Sequence, residues 1–211
     1  MKTDDLIELL AQDTPVRLRL GRVMTLALAA GTVASALLLV ATVGLRHDML
    51  SVFETARVFF KICATLLLAL LASRLVFLIG RPGVPWQAAA LTLLLLAAAV
   101  VAAVLLELFA VPAQGWMPAL VGRHAAFCVF FIPVLAVSPL AGFLFALRNG
   151  APDDPGQAGT VAGFAAGAIA AAIYAWHCPD DSPLFVAVWY TAGIAAVTAC
   201  GFLIGRRFLR W

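Results

Sequence analysis

The sequence predicts an all-α polytopic membrane protein: a bundle of six transmembrane helices behind a short cytoplasmic N-terminal amphipathic helix. Three observations predict it. Of 211 residues, 64% are hydrophobic and 12% charged, whereas soluble domains carry about 45–50% apolar and about 25% charged residues. The apolar residues fall in six runs, each long enough to cross a hydrocarbon core about 30 Å thick at 1.5 Å per residue. Lysine and arginine are unevenly divided between the two sets of connections. The runs are continuously apolar without alternation, which specifies helices rather than a barrel. Two regions follow, residues 1–22 as a cytoplasmic segment and residues 23–211 as the transmembrane part.

Residues 1–22 read "MKTDDLIELLAQDTPVRLRLGR". Thr3 is an N-cap candidate, and Asp4, Asp5 and Glu8 suit the positive end of a helix dipole. Leu6, Leu9 and Leu10 share a face with Ile7 beside it, and Pro15 ends the pattern. An acidic face is repelled by the negative inner leaflet. A soluble protein's groove is the better seat for such a peptide.

The crossings are Val23–Leu45, Val58–Ile79, Trp86–Leu106, Ala125–Leu147, Gly156–Trp176 and Leu184–Ile204. The second carries Lys61 and Arg74 near its ends, where long stems snorkel to the headgroups. The fourth contains Pro133 and Pro139, each of which removes a backbone donor. The fifth repeats small residues at Gly159, Gly163 and Gly167, the spacing that lets another helix approach closely. Lys2, Arg17, Arg19, Arg22, Arg74, Arg81, Arg148, Arg206, Arg207 and Arg210 lie on one side. Arg46, Arg57, Lys61 and Arg123 lie on the other. The positive-inside rule then puts both termini in the cytoplasm. An alternative cleavage site at Ala34-Ser35-Ala36 is rejected, because the preceding segment is acidic and the apolar run continues past it.

Reactive groups collect on the outer side. His124 and Cys128 are one helical turn apart at the outer end of the fourth crossing. "WHCPDDSPLFVAVWY", Trp176–Tyr190, brings His177, Cys178, Asp180 and Asp181. Ser182 is a cap candidate for the sixth crossing with Pro183 at its first position. The aspartates are candidates for capping or ligation. Three readings of Cys128 and Cys178 stand: a disulfide in an oxidising periplasm, a soft-metal site completed by His124, His177 or Asp180, or two inert thiols. Cys63 and Cys200 read as small buried hydrophobes.

The same stretches carry a family likeness. "MKTDDLIELLA", Lys61, "IPVLAVSPL", "LRNGAPDDPGQAG", "YAWHCPDDSPLFVAVWY" and "GRRFLRW" follow one another along nearly the whole chain. In these blocks the sequence resembles the NrsF-like proteins, six-helix membrane anti-sigma factors named as negative regulators of SigF. The resemblance implies a regulator that sequesters an extracytoplasmic-function sigma factor and releases it on a heavy-metal or redox signal. The docking element it implies is Lys2, Thr3, Asp4, Asp5, Leu6, Ile7, Glu8, Leu9 and Leu10. The signal-sensing or disulfide pair is Cys128 and Cys178. No obligatory cofactor is implied; a heavy-metal ion at the cysteine pair is the metal reading, with His124, His177 and Asp180 as further ligands. The partners implied are the sigma factor and the bilayer, with no direct nucleic acid, in keeping with a net charge of +3.

Two other classes are weighed against this. A transporter or channel needs polar groups near the midplane, and the main internal charges, Lys61 and Glu107, lie near outer ends. A thiol oxidoreductase is suggested by four cysteines, but no CxxC pair is present and no quinone or haem site can be read from the sequence. No nucleophile–base constellation predicts an enzyme. The docking reading has a direct test: Leu6→Ala/Leu9→Ala/Leu10→Ala should abolish co-purification of the sigma factor, and a triple variant that keeps its partner removes the tail from docking.

Overall fold

The computed structural model describes residues 20–46, 55–81, 85–150 and 152–210. The docking residues Lys2–Leu10 and most of the 1–22 segment lie outside the described residues. Within them the chain is helical throughout, with no strand, and six helices are long and apolar enough to cross a membrane. The helices are α1 (Leu20–Thr42), α2 (Ala56–Ile79), α3 (Gln87–Ala110), α4 (Ala113–Val121), α5 (Ala125–Leu147), α6 (Pro155–Tyr174) and α7 (Pro183–Phe208). Large apolar side chains face outward, up to Phe109 at 89% exposure. This inverts the soluble pattern because the surrounding solvent is lipid.

At the centre stands α6. Gly156, Gly159, Gly163 and Gly167 alternate with alanines, and nearly every residue from Ala158 to Tyr174 on its packed faces is buried. The glycines meet the backbone of α7 directly. A Cβ on Gly163 would lie 2.6 Å from the Val197 carbonyl oxygen and 2.9 Å from Thr198 Cα. In lipid there is no hydrophobic drive between helices, so such close backbone approach supplies the packing energy. The Asp154 side chain accepts from the backbone N–H groups of Gly156 and Gln157 and starts the helix, with Pro155 at its first position.

Pro139 of α5 ties that helix to α1. Pro139 has no N–H, so the Leu135 carbonyl loses its helical donor. Ser35 of α1 donates its hydroxyl to that oxygen at 2.6 Å. Ser138 returns a hydrogen bond to the Gly31 carbonyl at 2.9 Å, and Gly31 packs directly on Pro139. A break in one helix thus becomes a polar contact with its neighbour.

Three features differ from the sequence expectation. The connection before α5 holds a helix of its own, α4, divided from α5 by Gly122 in the left-handed region at φ 57°. Its apolar sequence, interrupted by Pro118, reads from composition as a loop. Near its start α7 contains a π turn, Val186–Tyr190. Cys200 is exposed on the outer surface of α7 rather than buried, and Cys63 is half-buried; both face an apolar solvent either way, so burial and lipid exposure leave the same trace in sequence.

Replacing Gly163 by leucine should lower stability by about 1–3 kcal/mol or more through overpacking. Ala199→Leu, on the exposed face of α7, should leave it nearly unchanged. Thermal unfolding in detergent compares them.

Candidate functional site

The connections after α1, before α5 and between α6 and α7 meet at one end of the bundle, here called the thiol end. Residues 175–182, between α6 and α7, are held there by contacts to four other elements. His177 Nδ1 donates to the Gly44 carbonyl at 3.0 Å, which fixes its tautomer, and the Arg46 N–H donates to the Trp176 carbonyl. The Arg46 guanidinium grips the Asp181 carboxylate at 3.1 and 3.2 Å. Lys61, fully buried in α2, donates to the Cys178 carbonyl at 2.6 Å and to the Asp181 carboxylate. Contrary to the expectation from its place near the helix end, Lys61 does not snorkel; a carboxylate and carbonyls inside the protein replace the headgroups.

The acidic residues cap helices other than their own. Asp180 accepts from the backbone N–H of Arg123 at 3.1 Å and of His124 at 2.9 Å, and from His124 Nδ1 at 3.0 Å. It thereby satisfies the entrance to α5. Glu107, buried at the end of α3, accepts from the Ser182 hydroxyl at 2.7 Å and the Leu184 N–H at 3.1 Å, and pairs with Arg57 at 3.3 Å. Ser182 stands at the N-cap position of α7 with Pro183 after it, but its hydroxyl makes no cap bond; Glu107 supplies the acceptor instead.

These contacts seat Cys178 against Cys128. Both are wholly buried and unbonded, with their Sγ atoms 3.9 Å apart. A disulfide needs about 2.05 Å, so the sulfurs stand at about van der Waals contact, unbonded. The Cys178 thiol is pulled below its ordinary value, first by the hydrogen bond from Cys128 and then by the Lys61 charge, against the effect of burial. The hydroxyls of Tyr174 and Tyr190 are buried beside the pair and have no hydrogen-bond partner among the described residues.

The five residues read as metal ligands are not arranged as a ligand set. His124 is held by Asp180 and His177 by the Gly44 carbonyl. Among the described residues no group of three or more His, Cys, Asp or Glu side chains stands in position to hold an ion. The chemistry left to the site is that of a buried dithiol. Sequence reasoning left Arg46 and Asp181 unpaired. A lysine inside an apolar run is the signal that finds Asp181, because an intramembrane charge demands a partner.

At the opposite end lie Arg81, Arg148, Arg206, Arg207 and Arg210, so the charge asymmetry survives folding. Residues 9–211 match the NrsF family, described as "Negative regulator of sigma F". The chain belongs to that family. It is 33% identical over 215 residues to the "Probable anti-sigma-F factor NrsF" of Azospira oryzae, covering all of both chains. It is equally 33% identical over 214 residues, again full length, to the "Anti-sigma-F factor NrsF" of Caulobacter vibrioides. No solved structure matches it.

Two outcomes are expected of this NrsF-family site. Asp181→Asn leaves the fully buried Lys61 ammonium with neutral acceptors only and should cost roughly 3–5 kcal/mol, and Lys61→Met with Asp181→Asn should cost less than the sum of the single changes, read by thermal unfolding. With the Cys178 thiol held below its ordinary value by Cys128 and Lys61, the rate of disulfide formation by diamide should level off at a lower pH than that of an ordinary exposed thiol. A rate still climbing steeply from pH 8 to 9 contradicts the lowered thiol.

Proposed function

We propose that this chain is an anti-sigma factor that holds an extracytoplasmic-function sigma factor at the cytoplasmic face of the bacterial inner membrane. Residues Lys2–Leu10 grip it, and oxidation of Cys128 and Cys178 in the periplasmic half releases it. The observation that carries this reading is the full-length likeness to two chains named as anti-sigma-F factors. The sulfur separation of 3.9 Å supports the trigger. The two internal charges, Lys61 and Glu107, are both spent within the thiol-end network, which weighs against a transport path.

The chemical step balances with a peroxide as oxidant. Cys128 and Cys178 lose two protons and two electrons and form one S–S bond; hydrogen peroxide takes them up and leaves as two waters. The bond ties α5 to the α6–α7 connection. Closing 3.9 Å to a covalent length pulls the entrance of α5 and the 175–182 segment together, against the seats made by Asp180 and Asp181. A complete switch from 1:99 to 99:1 requires about 5.5 kcal/mol of differential stabilisation, while a disulfide supplies about 2–4 kcal/mol. The expected response is therefore graded. A soft metal ion bridging the two thiolates would act on the same two elements and is the second form of the signal.

The test is the full chain in lipid nanodiscs with a fluorescent sigma factor bound. Peroxide should release the sigma factor from the wild type and leave it bound to Cys128→Ser/Cys178→Ser. A double variant that releases normally removes the thiols from the mechanism, and a wild type that retains no sigma factor removes the anti-sigma reading.

A further inference from the structure

The arginine end presents a basic surface at the opposite end of the bundle from the thiol chemistry. Gly205 and Leu209 of α7 are buried against the bundle. Arg206, Arg207 and Arg210 lie off that buried face, are exposed, and line one concavity together with Ile204 and Phe208. None of the three arginines makes an ion pair among the described residues; Arg206 lies over the Phe202 ring at 5.2 Å. The Arg148 guanidinium, at the end of α5, lies 4.7 Å from the centre of the Phe208 ring and joins the two helix ends.

Running from this basic rim toward the bilayer centre is an apolar furrow between α5 and α7 of about 740 Å³. Small residues open it: Pro133, Ala136 and Ala141 on one wall, Ala196 and Cys200 on the other. Ile204 and Phe208 line both the furrow and the arginine concavity, so the two are continuous. The furrows between α1 and α2 and between α2 and α3 share no lining residue with the arginine concavity. The α5–α7 furrow thus joins a site for an anion to a slot for hydrocarbon.

We propose that this furrow binds an anionic phospholipid, its headgroup phosphate on Arg206, Arg207 and Arg210 and an acyl chain between α5 and α7. Free phosphate would leave the furrow unfilled, and a zwitterionic lipid would leave the arginines' charge uncompensated. Juxtamembrane cations each attract anionic lipid enough to change occupancy about fivefold, so the three together favour an anionic over a zwitterionic headgroup by roughly a hundredfold. This assignment is independent of how the chain treats a sigma factor.

The experiment is native mass spectrometry and thermal unfolding of the full chain in neutral detergent, with added phosphatidylglycerol, phosphatidylcholine or soluble glycerol 3-phosphate. Phosphatidylglycerol should remain bound and raise the unfolding temperature, while the other two should not. Arg206→Gln/Arg207→Gln/Arg210→Gln should remove the preference. Ala196→Phe should reduce lipid retention with all charges in place, and it reads the site even if the triple variant does not insert. Equal retention of the two lipids, competition by glycerol 3-phosphate at equal concentration, or a triple variant that keeps its lipid preference would overturn the assignment. So would an Ala196→Phe variant that retains lipid as the wild type does.

Discussion

The thiol end is organised by a buried lysine. Lys61 is fully enclosed in α2, and an ammonium there is tolerable only if its donors are met by charge and carbonyls. Asp181 and the Cys178 carbonyl meet them. The constraint is therefore mutual. The lysine fixes where residues 178–181 run, and that path is what puts the Cys178 sulfur against Cys128. Arg46 adds a second, bidentate hold on the same carboxylate, so α1 and α2 both depend on Asp181 being in place.

The rest of the site follows the same logic. The 175–182 segment meets α1, α2, α3 and α5 through a different polar group in each case, and two of those groups, Asp180 and Glu107, satisfy helix N-termini that would otherwise be orphaned. The core beneath is built of glycine and alanine at α6 and offers little side-chain interlock beyond close backbone contact. Packing of that kind tolerates small sliding of one helix on another.

Much of this was legible in the sequence, for physical reasons. Six crossings were readable because lipid demands long unbroken apolar runs, and the small-residue face of α6 because backbone contact demands glycine. The proximity of Cys128 and Cys178 could be raised only as one of three readings, since two connections on the same side can meet but need not. The α4 helix and the π turn were not legible: both consist of apolar residues whose composition is the same inside or outside a span. The fate of Lys61 was misjudged because length lets a lysine reach the headgroups, and only the position of Asp181 in space shows that it turns inward. Ser182 was correctly placed at the start of α7, but its hydroxyl serves Glu107, a residue 75 positions away.

The dependence of the thiol pair on its buried charge is best measured as an effective concentration. The full chain is equilibrated with graded ratios of reduced to oxidised glutathione, and the Cys128–Cys178 disulfide is quantified by mass spectrometry in the wild type and in Asp181→Asn. Loss of the carboxylate that seats the 175–182 segment should lower the effective concentration of one thiol at the other by about tenfold or more. Equal values in the two proteins would contradict the claim that the Lys61–Asp181 contact holds the sulfurs together.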